Sequence, residues 1–435
     1  MHLYWTTYHT FSVKFSPYPP SLPNISSSTL SSFPHVYPND NNLPQQKLAI
    51  GTSQYYGIAG NGKLHILNFN NVQGLHSLRH FDTQHGIFDI AWNEMNEDQI
   101  IVGCGDGTVR LFDIKSPDNY PIRIYNEHEV EVSTVAWNGI NKRLFGSGGW
   151  DNIIRIYDPE FTSSIATLKG HTKSVYGIDW HPSWGKQIGS VADDGMFILW
   201  DIHSPVPSLR FNASSVPLLC LDWAKYNEYE VSTAGTDSCI RSWDIRNIKY
   251  PLKTIQQAHK LPIRRIKYNP HEPNLLVSGS FDLSVALWNM NPIDPPNGPE
   301  INRCYHHREF VHGLDWSLYE QGLLITGSWD QSVVAWNIRK HSHPPPVPMV
   351  PKHMRMNTNP LPPSSSSVPV STTLLQQPAP PPTSLMTTFP SQNNIVPTTL
   401  PTSTVTSNIA SSITTLPTLP NSLLSSPILP PHSNI

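Results

Sequence analysis

The chain has 435 residues, with 29 Lys and Arg against 32 Asp and Glu and a formal net charge of −3 at pH 7. This balance supplies no clustered positive surface of the kind phosphate backbones need, so nucleic acid is not an expected ligand. No apolar run is long enough for a membrane span, Met1–Thr10 lacks the basic-then-apolar order of a secretory signal, and four scattered cysteines, Cys104, Cys220, Cys239 and Cys304, do not make a disulfide framework. Reduced thiols and no integral membrane segment are therefore expected.

Taken in chain order, a short extended stretch lies near His2–Thr7, followed by a β segment at Phe11–Phe15. A Pro/Ser/Asn-rich insertion at about 17–46 interrupts the pattern, which resumes at Leu48. From there a long period dominates. Asp106, Asp151, Asp194, Asp237, Asp282 and Asp330 stand 43 to 48 residues apart, and Asn61 precedes Asp106 by 45. Six residues after each comes Leu67, Phe112, Tyr157, Trp200, Trp243, Trp288 and Trp336. Fourteen residues before each of the six Asp comes Trp92, Trp137, Trp180, Trp223, Tyr268 and Trp316. Four before come Ser147, Ser190, Thr233, Ser278 and Thr326, with Val102 the exception; twenty-three before come His128, His171, His259 and His307.

Internal repeats of 40–45 residues with an aromatic-Asp signature and four β segments each read as WD repeats. Seven copies predict an all-β, seven-bladed β-propeller over residues 1–340. The fixed residue types have a chemical reason. The Asp of the turn between second and third strands accepts from the His before the first strand, and the Ser or Thr hydroxyl and the Trp ring N–H extend that network. Buried polar groups are tolerable only when paired, so the four types recur together. The expected network comprises His128, Ser147 and Asp151; His171, Ser190, Asp194 and Trp200; Asp237 and Trp243; His259, Ser278, Asp282 and Trp288; and His307, Thr326, Asp330 and Trp336. Beyond Trp336-Asn337-Ile338 the chain becomes Pro-rich and cannot supply a last outer strand. The segment near His2–Thr7 is expected to close the ring. Residues 341–435 hold no acid and about half of the 43 prolines; this Pro/Ser/Thr/Asn-rich tail is read as disordered.

Nothing in the sequence calls for catalysis, a metal or a cofactor. His306-His307 falls on the scaffold offset, the repeated Asp residues sit in different blades, and Gly57–Gly62 has no following helix to make a phosphate loop. No Gly-x-Ser-x-Gly, Cys-x-x-Cys or His-Glu-x-x-His occurs. The residues that architecture does not require are more informative. The residue before each turn position (Gly60, Gly105, Trp150, Asp193, Thr236, Phe281, Trp329) faces the same end of the propeller as the approaches to the first strands. Phe88, Ser133, Tyr176, Leu219, Arg264 and His312 lie four residues before the first-strand aromatics. Gly86, Glu131, Ser174, Pro217, Pro262 and Phe310 lie two earlier. One rim is therefore expected to present Phe88, Trp150, Tyr176, Leu219, Phe281, Phe310 and Trp329 with Glu129, Glu131 and Asp193 nearby. An apolar patch edged by acids suits an amphipathic helix carrying a basic residue. On this reading Trp329→Ala and Asp193→Arg weaken peptide binding and leave thermal unfolding unchanged.

The opening stretches Phe11-Ser12-Val13-Lys14-Phe15-Ser16-Pro17 and Thr52-Ser53-Gln54-Tyr55-Tyr56-Gly57-Ile58-Ala59-Gly60-Asn61-Gly62 resemble those of the peroxisomal targeting signal 2 receptor (peroxin-7) family. Asp89-Ile90-Ala91-Trp92-Asn93-Glu94, Gly105-Asp106-Gly107, Glu127-His128 with Glu131-Val132, and Gly148-Gly149-Trp150-Asp151 do so too. The resemblance covers about 8–340; the insertion and the long tail depart from the family pattern. It implies a cytosolic import receptor that cycles to the peroxisome. Such a receptor binds the N-terminal targeting helix of matrix cargo proteins, works with a peroxin-5-type or related co-receptor, and engages a peroxisomal docking complex. The rival reading is a substrate receptor of a cullin ubiquitin ligase, for which Trp243-Asp244-Ile245-Arg246 supplies a short Trp-Asp-x-Arg match.

Overall fold

The computed structural model describes residues 1–21, 43–204, 206–293, 295–296, 298–340 and 343–351. The expected insertion at about 17–46 falls largely outside these residues, as does most of the 341–435 tail.

Seven antiparallel four-stranded sheets form the blades. Blade one contains β2 (His9–Phe15), β3 (Gln46–Ser53), β4 (Gly62–Asn70) and β5 (Gly74–Thr83). Blade two contains β6 (Ile87–Trp92), β7 (Gln99–Cys104), β8 (Thr108–Asp113) and β9 (Arg123–Asn126). Blade three contains β10 (Val132–Trp137), β11 (Phe145–Gly149), β12 (Ile153–Tyr157) and β13 (Ala166–Lys169). Blade four contains β14 (Val175–Trp180), β15 (Gln187–Ala192), β16 (Met196–Asp201) and β17 (Pro207–Asn212). Blade five contains β18 (Leu218–Trp223), β19 (Glu230–Gly235), β20 (Ile240–Asp244) and β21 (Lys253–Ile255). Blade six contains β22 (Ile263–Tyr268), β23 (Leu275–Ser280), β24 (Val285–Asn289) and β25 (Glu300–Cys304). Blade seven contains β26 (Val311–Trp316), β27 (Leu323–Ser328) and β28 (Ser332–Asn337).

The outer strand of blade seven is β1 (His2–Trp5), antiparallel to β28 with Leu3 opposite Val334 and Trp5 opposite Ser332. The innermost strand β2 touches both β6 and β26, so first and last blades meet. A closed ring removes the free sheet edge at that seam. First-strand tryptophans stitch neighbouring blades together. Trp92, Trp180, Trp223 and Trp316 donate through Nε1 to the carbonyls of Lys14, Ala136, Asp179 and Lys267, each on the inner strand of the preceding blade.

Within blade four, His171 bonds Asp194 at 3.1 Å and Ser190 at 2.7 Å, and Trp200 donates to Ser190 at 2.8 Å. Blade six repeats this with His259, Asp282, Ser278 and Trp288. In blade three His128 holds Asp151 and Ser147, while Tyr157 takes the Trp position and stacks on Phe145. In blade five Ser214 stands where His is expected, Arg241 pairs with Asp237, and Trp243 donates to Thr233. Burial works against ionisation of the Asp194 carboxyl, but the His171 hydrogen bond and charge together with the Thr172 and Met196 N–H groups outweigh it and hold it down to about 2.

Blade seven corrects the sequence reading twice. Trp336 does not join the network, because Nε2 of His306 occupies the Thr326 hydroxyl at 3.1 Å alongside His307 at 2.8 Å; Trp336 packs its ring against His306 instead. The ordered chain also continues past 340. Val347 is fully buried, its N–H donates to the His306 carbonyl, and its own carbonyl accepts from Arg308. A Pro-rich stretch can pack without adding a strand, since it needs only one or two backbone hydrogen bonds.

Candidate functional site

All seven inner strands carry a β-bulge at the same place. Pairing skips one residue between Thr10 and Ser12, Ile87 and Asp89, Val132 and Thr134, Val175 and Gly177, Leu218 and Cys220, Ile263 and Arg265, and Val311 and Gly313. The skipped residues are Phe11, Phe88, Ser133, Tyr176, Leu219, Arg264 and His312. A bulge re-aims the side chain it displaces, so these seven form a ring at the upper mouth of the central channel. The turn residues are tied to the same end. The N–H groups of Gly105, Trp150, Asp193, Thr236, Phe281 and Trp329 donate to the carbonyls of Gly86, Glu131, Ser174, Pro217, Pro262 and Phe310, all at 2.9–3.0 Å.

The large aromatics of these positions touch one another in a continuous belt. Tyr176 meets Trp150 with ring centroids 6.2 Å apart, and Trp150 meets Phe88 at 6.3 Å. Phe88 meets Phe11 at 5.2 Å, and Phe11 meets Trp329 at 5.4 Å. Trp329 then packs on Phe310 at 5.1 Å, and Phe310 stacks on Phe281 at 4.7 Å. Edge-to-face and offset pairs at these separations are favourable beyond their buried area. Trp150, Tyr176, Phe281, Phe310 and Trp329 keep partial solvent exposure, whereas Phe88 and Leu219 are buried at 9% and 8%.

The sequence reading missed Phe11, His9 and Tyr56, and it placed His312 at this end of the propeller without counting it in the aromatic rim. Phe11 is the bulge residue of blade one, and the Phe15 end of its strand four residues later was the available signal. His312 stacks on Trp329 at 4.5 Å and on Phe281 at 5.1 Å. His9 hydrogen-bonds the Trp329 carbonyl and stacks on Tyr56 at 3.9 Å. Tyr56 is 49% exposed and reaches Trp329 at 5.3 Å. It is carried by the 3-10 turn Tyr55–Gly57, in which Tyr55 and Tyr56 both have positive φ. Gly57 is required there, since a Cβ would lie 2.8 Å from Phe88 and 2.9 Å from Phe11. No offset in the repeat encodes this loop, so only the folded chain brings Tyr56 over the belt.

The three acids expected at this rim lie at blades three and four, and exposed Glu309 adds a fourth beside Phe310. Glu129 is exposed, Glu131 is half-buried, and Asp193 pairs loosely with Lys173 at 3.4 Å. Burial raises the Tyr176 hydroxyl above its ordinary value, reinforced by the Asp193 charge. Trp329 packs on Phe11, Phe281, Phe310, His312 and Tyr56 together, which gives it a structural role that the sequence reading did not assign. Among the described residues no group of three His, Cys, Asp or Glu is arranged to hold a metal. No helix of the described residues is long and apolar enough to cross a membrane.

Seven blades built on this repeat, with an aromatic face over the channel, define a WD-repeat binding platform: a receptor or scaffold, not an enzyme. The family model for the WD domain, G-beta repeat, matches residues 119–158, 162–201, 249–289 and 298–337. Among solved structures, a chain from the crystal structure of the mitotic checkpoint complex superposes with TM-score 0.56 at 21% identity. It covers 67% of this chain and 84% of that one, a likeness of fold alone. The peroxisomal targeting signal 2 receptor of Saccharomyces cerevisiae is 32% identical over 62% of this chain and 88% of its own length. The Dictyostelium discoideum receptor of the same name is 37% identical over 63% and 85%. The Homo sapiens one is 32% identical over 62% and 81%. The chain belongs to the peroxisomal targeting signal 2 receptor family.

Proposed function

We propose that the upper face binds the N-terminal helical targeting signal of peroxisomal matrix proteins. The carrying observation is the unbroken aromatic belt from Tyr176 to Phe281 with Glu129, Glu131 and Asp193 beside its Trp150–Tyr176 end. A helix with one apolar stripe buries that stripe against the belt, and a basic residue on its edge is oriented toward Glu129, Glu131 and Asp193. Leu219 adds apolar surface deeper in the ring. A bound helix leaves its far side uncovered, which is where a peroxin-5-type or related co-receptor closes over it. The complex then engages the docking complex at the peroxisomal membrane, and the receptor cycles between cytosol and peroxisome.

The test is fluorescence anisotropy of a labelled helical targeting peptide against wild type and Asp193→Arg, with and without candidate co-receptors. Tight binding to wild type that weakens about tenfold with the charge reversal is expected; equal binding to both proteins would place the ligand elsewhere. The cullin reading gains no support. Arg246 of the Trp-Asp-x-Arg stretch is already engaged, paired with Asp244 at 2.7 Å and lying over the Tyr229 ring at 4.1 Å.

A further inference from the structure

Of the seven bulge residues around the channel mouth, Arg264 alone carries a charge, and it is only 8% exposed. Its guanidinium offers five N–H donors, yet it makes one hydrogen bond, from Nη1 to the Leu219 carbonyl at 3.2 Å. No carboxylate among the described residues lies within ion-pair distance of it. The adjacent Arg265 pairs across the channel with Asp89 at 2.6 Å. Asp89 has nothing left to offer. One oxygen also accepts from Ser12 at 2.8 Å, and the other accepts from the Thr134 hydroxyl and the Val135 N–H, both at 3.2 Å. The one carboxylate nearby is thus saturated by Arg265 and its other donors, and Arg264 is left without one.

The surroundings repeat the same deficit. Both ring nitrogens of buried His312 lack partners, as do the buried indole N–H groups of Trp150 and Trp329. Burial brings the Arg264 guanidinium down to about 10, with the Arg265 charge adding to it, and burial with the Arg264 and Arg265 charges keeps His312 neutral. A buried cation without a counter-charge is costly and persists where a partner completes it. The planar fork matches a carboxylate in two parallel bonds. The buried Leu219 beside it and the aromatic rings of the same mouth disfavour a hydrated free ion and favour a group delivered on a side chain.

We infer that Arg264 is the receptor for an Asp or Glu side chain of the polypeptide that seats on the upper face. This rests on the peptide-binding reading of that face, and it adds an acidic requirement opposite in sign to the basic one met by Asp193. The experiment scans a labelled helical targeting peptide with Glu or Gln at each position against wild type, Arg264→Lys and Arg264→Met. One position is expected to favour Glu over Gln about tenfold in wild type, partly in the Lys variant and not at all in the Met variant. Binding without any such preference overturns the inference while leaving the peptide-binding face intact. Should no peptide bind at all, the peptide-binding reading fails, and the melting temperature of ligand-free protein decides the role of Arg264. A rise in Arg264→Met marks a charge awaiting its partner; a fall shows that the guanidinium serves the scaffold and overturns the inference.

Discussion

The two halves of the central channel are built by the same seven strands and treat polar groups in opposite ways. In the lower half Lys14, Asp89, Asp179, Lys267 and Asp315 line a cavity of about 240 Å³ together with Arg265, and Asp222 is buried beside Lys267. Lys267 bonds Asp222 at 2.6 Å, Asp222 also accepts from the Tyr268 N–H at 2.7 Å, and Asp315 accepts from the Phe15 N–H at 2.8 Å. Burial opposes the Lys267 charge, but Asp222, Asp179 and Asp315 hold its pKa above the ordinary lysine value. Burial alone would raise the Asp222 carboxyl, and Lys225 and Lys267 pull it below. The upper half instead leaves indole, imidazole and guanidinium donors unmatched among aromatic rings. On the proposed peptide-binding reading, the contrast separates a charge-paired scaffold from a surface open to a ligand. Polar networks stabilise only when every member is satisfied, so the unfinished half is where binding energy remains to be gained.

Four measurements can break or sharpen this contrast, beginning with the largest effect. Asp222→Ala leaves Lys267 without its closest partner and is expected to cost about 3 kcal/mol in urea unfolding, with peptide affinity of the folded fraction unchanged. A mutant as stable as wild type would mean the lower network contributes nothing. Trp329→Ala removes the ring on which six others pack. A loss of roughly 2 kcal/mol is expected, below that of a fully buried tryptophan because the side chain is partly exposed, accompanied by weaker peptide binding. The sequence alone led to unchanged unfolding for this variant, so differential scanning fluorimetry distinguishes the two expectations directly.

Asp193→Arg is expected to shift unfolding by no more than about 0.5 kcal/mol, since its carboxylate is partly exposed and its Lys173 pair is a surface one. A change in melting temperature as large as that of Trp329→Ala would make Asp193 part of the scaffold. The last measurement concerns acid. Burial first, then Arg264, Arg265 and His9, hold His312 well below its ordinary value of 6.5. The folded protein keeps this ring neutral while the unfolded chain takes up a proton below pH 6.5. Its contribution to stability is therefore present above pH 6.5 and declines as the pH falls. His65, lowered by burial to about 3, acts in the same direction. His312→Phe should flatten the decline between pH 6.5 and 4 without abolishing it; an unchanged slope would mean that His312 is already solvated and paired.

Much of this molecule was legible before any coordinates. The offsets linking His171, Ser190, Asp194 and Trp200 state a hydrogen-bond network in one dimension, because each partner pair spans adjacent strands of one hairpin at a fixed length. Trp150, Tyr176, Phe281, Phe310 and Trp329 were found by position in the repeat for the same reason. Trp336 escaped the rule because His306, one residue from the expected His307, reached Thr326 first, a competition that no spacing reveals.

The sequence by itself determined the number of blades, the hydrogen-bonded scaffold and the strand from the N-terminus that completes the ring, since each follows from local periodicity and from the need to pair every buried polar group. Only the tertiary structure decided that seven bulges aim one residue per blade at a common mouth. It also decided that the Tyr55–Gly57 turn lays Tyr56 beside Trp329, and that Asp89 is consumed by Arg265 and leaves Arg264 alone. Those facts depend on which blades face each other across the channel, and sequence spacing carries no information about distances across a closed ring.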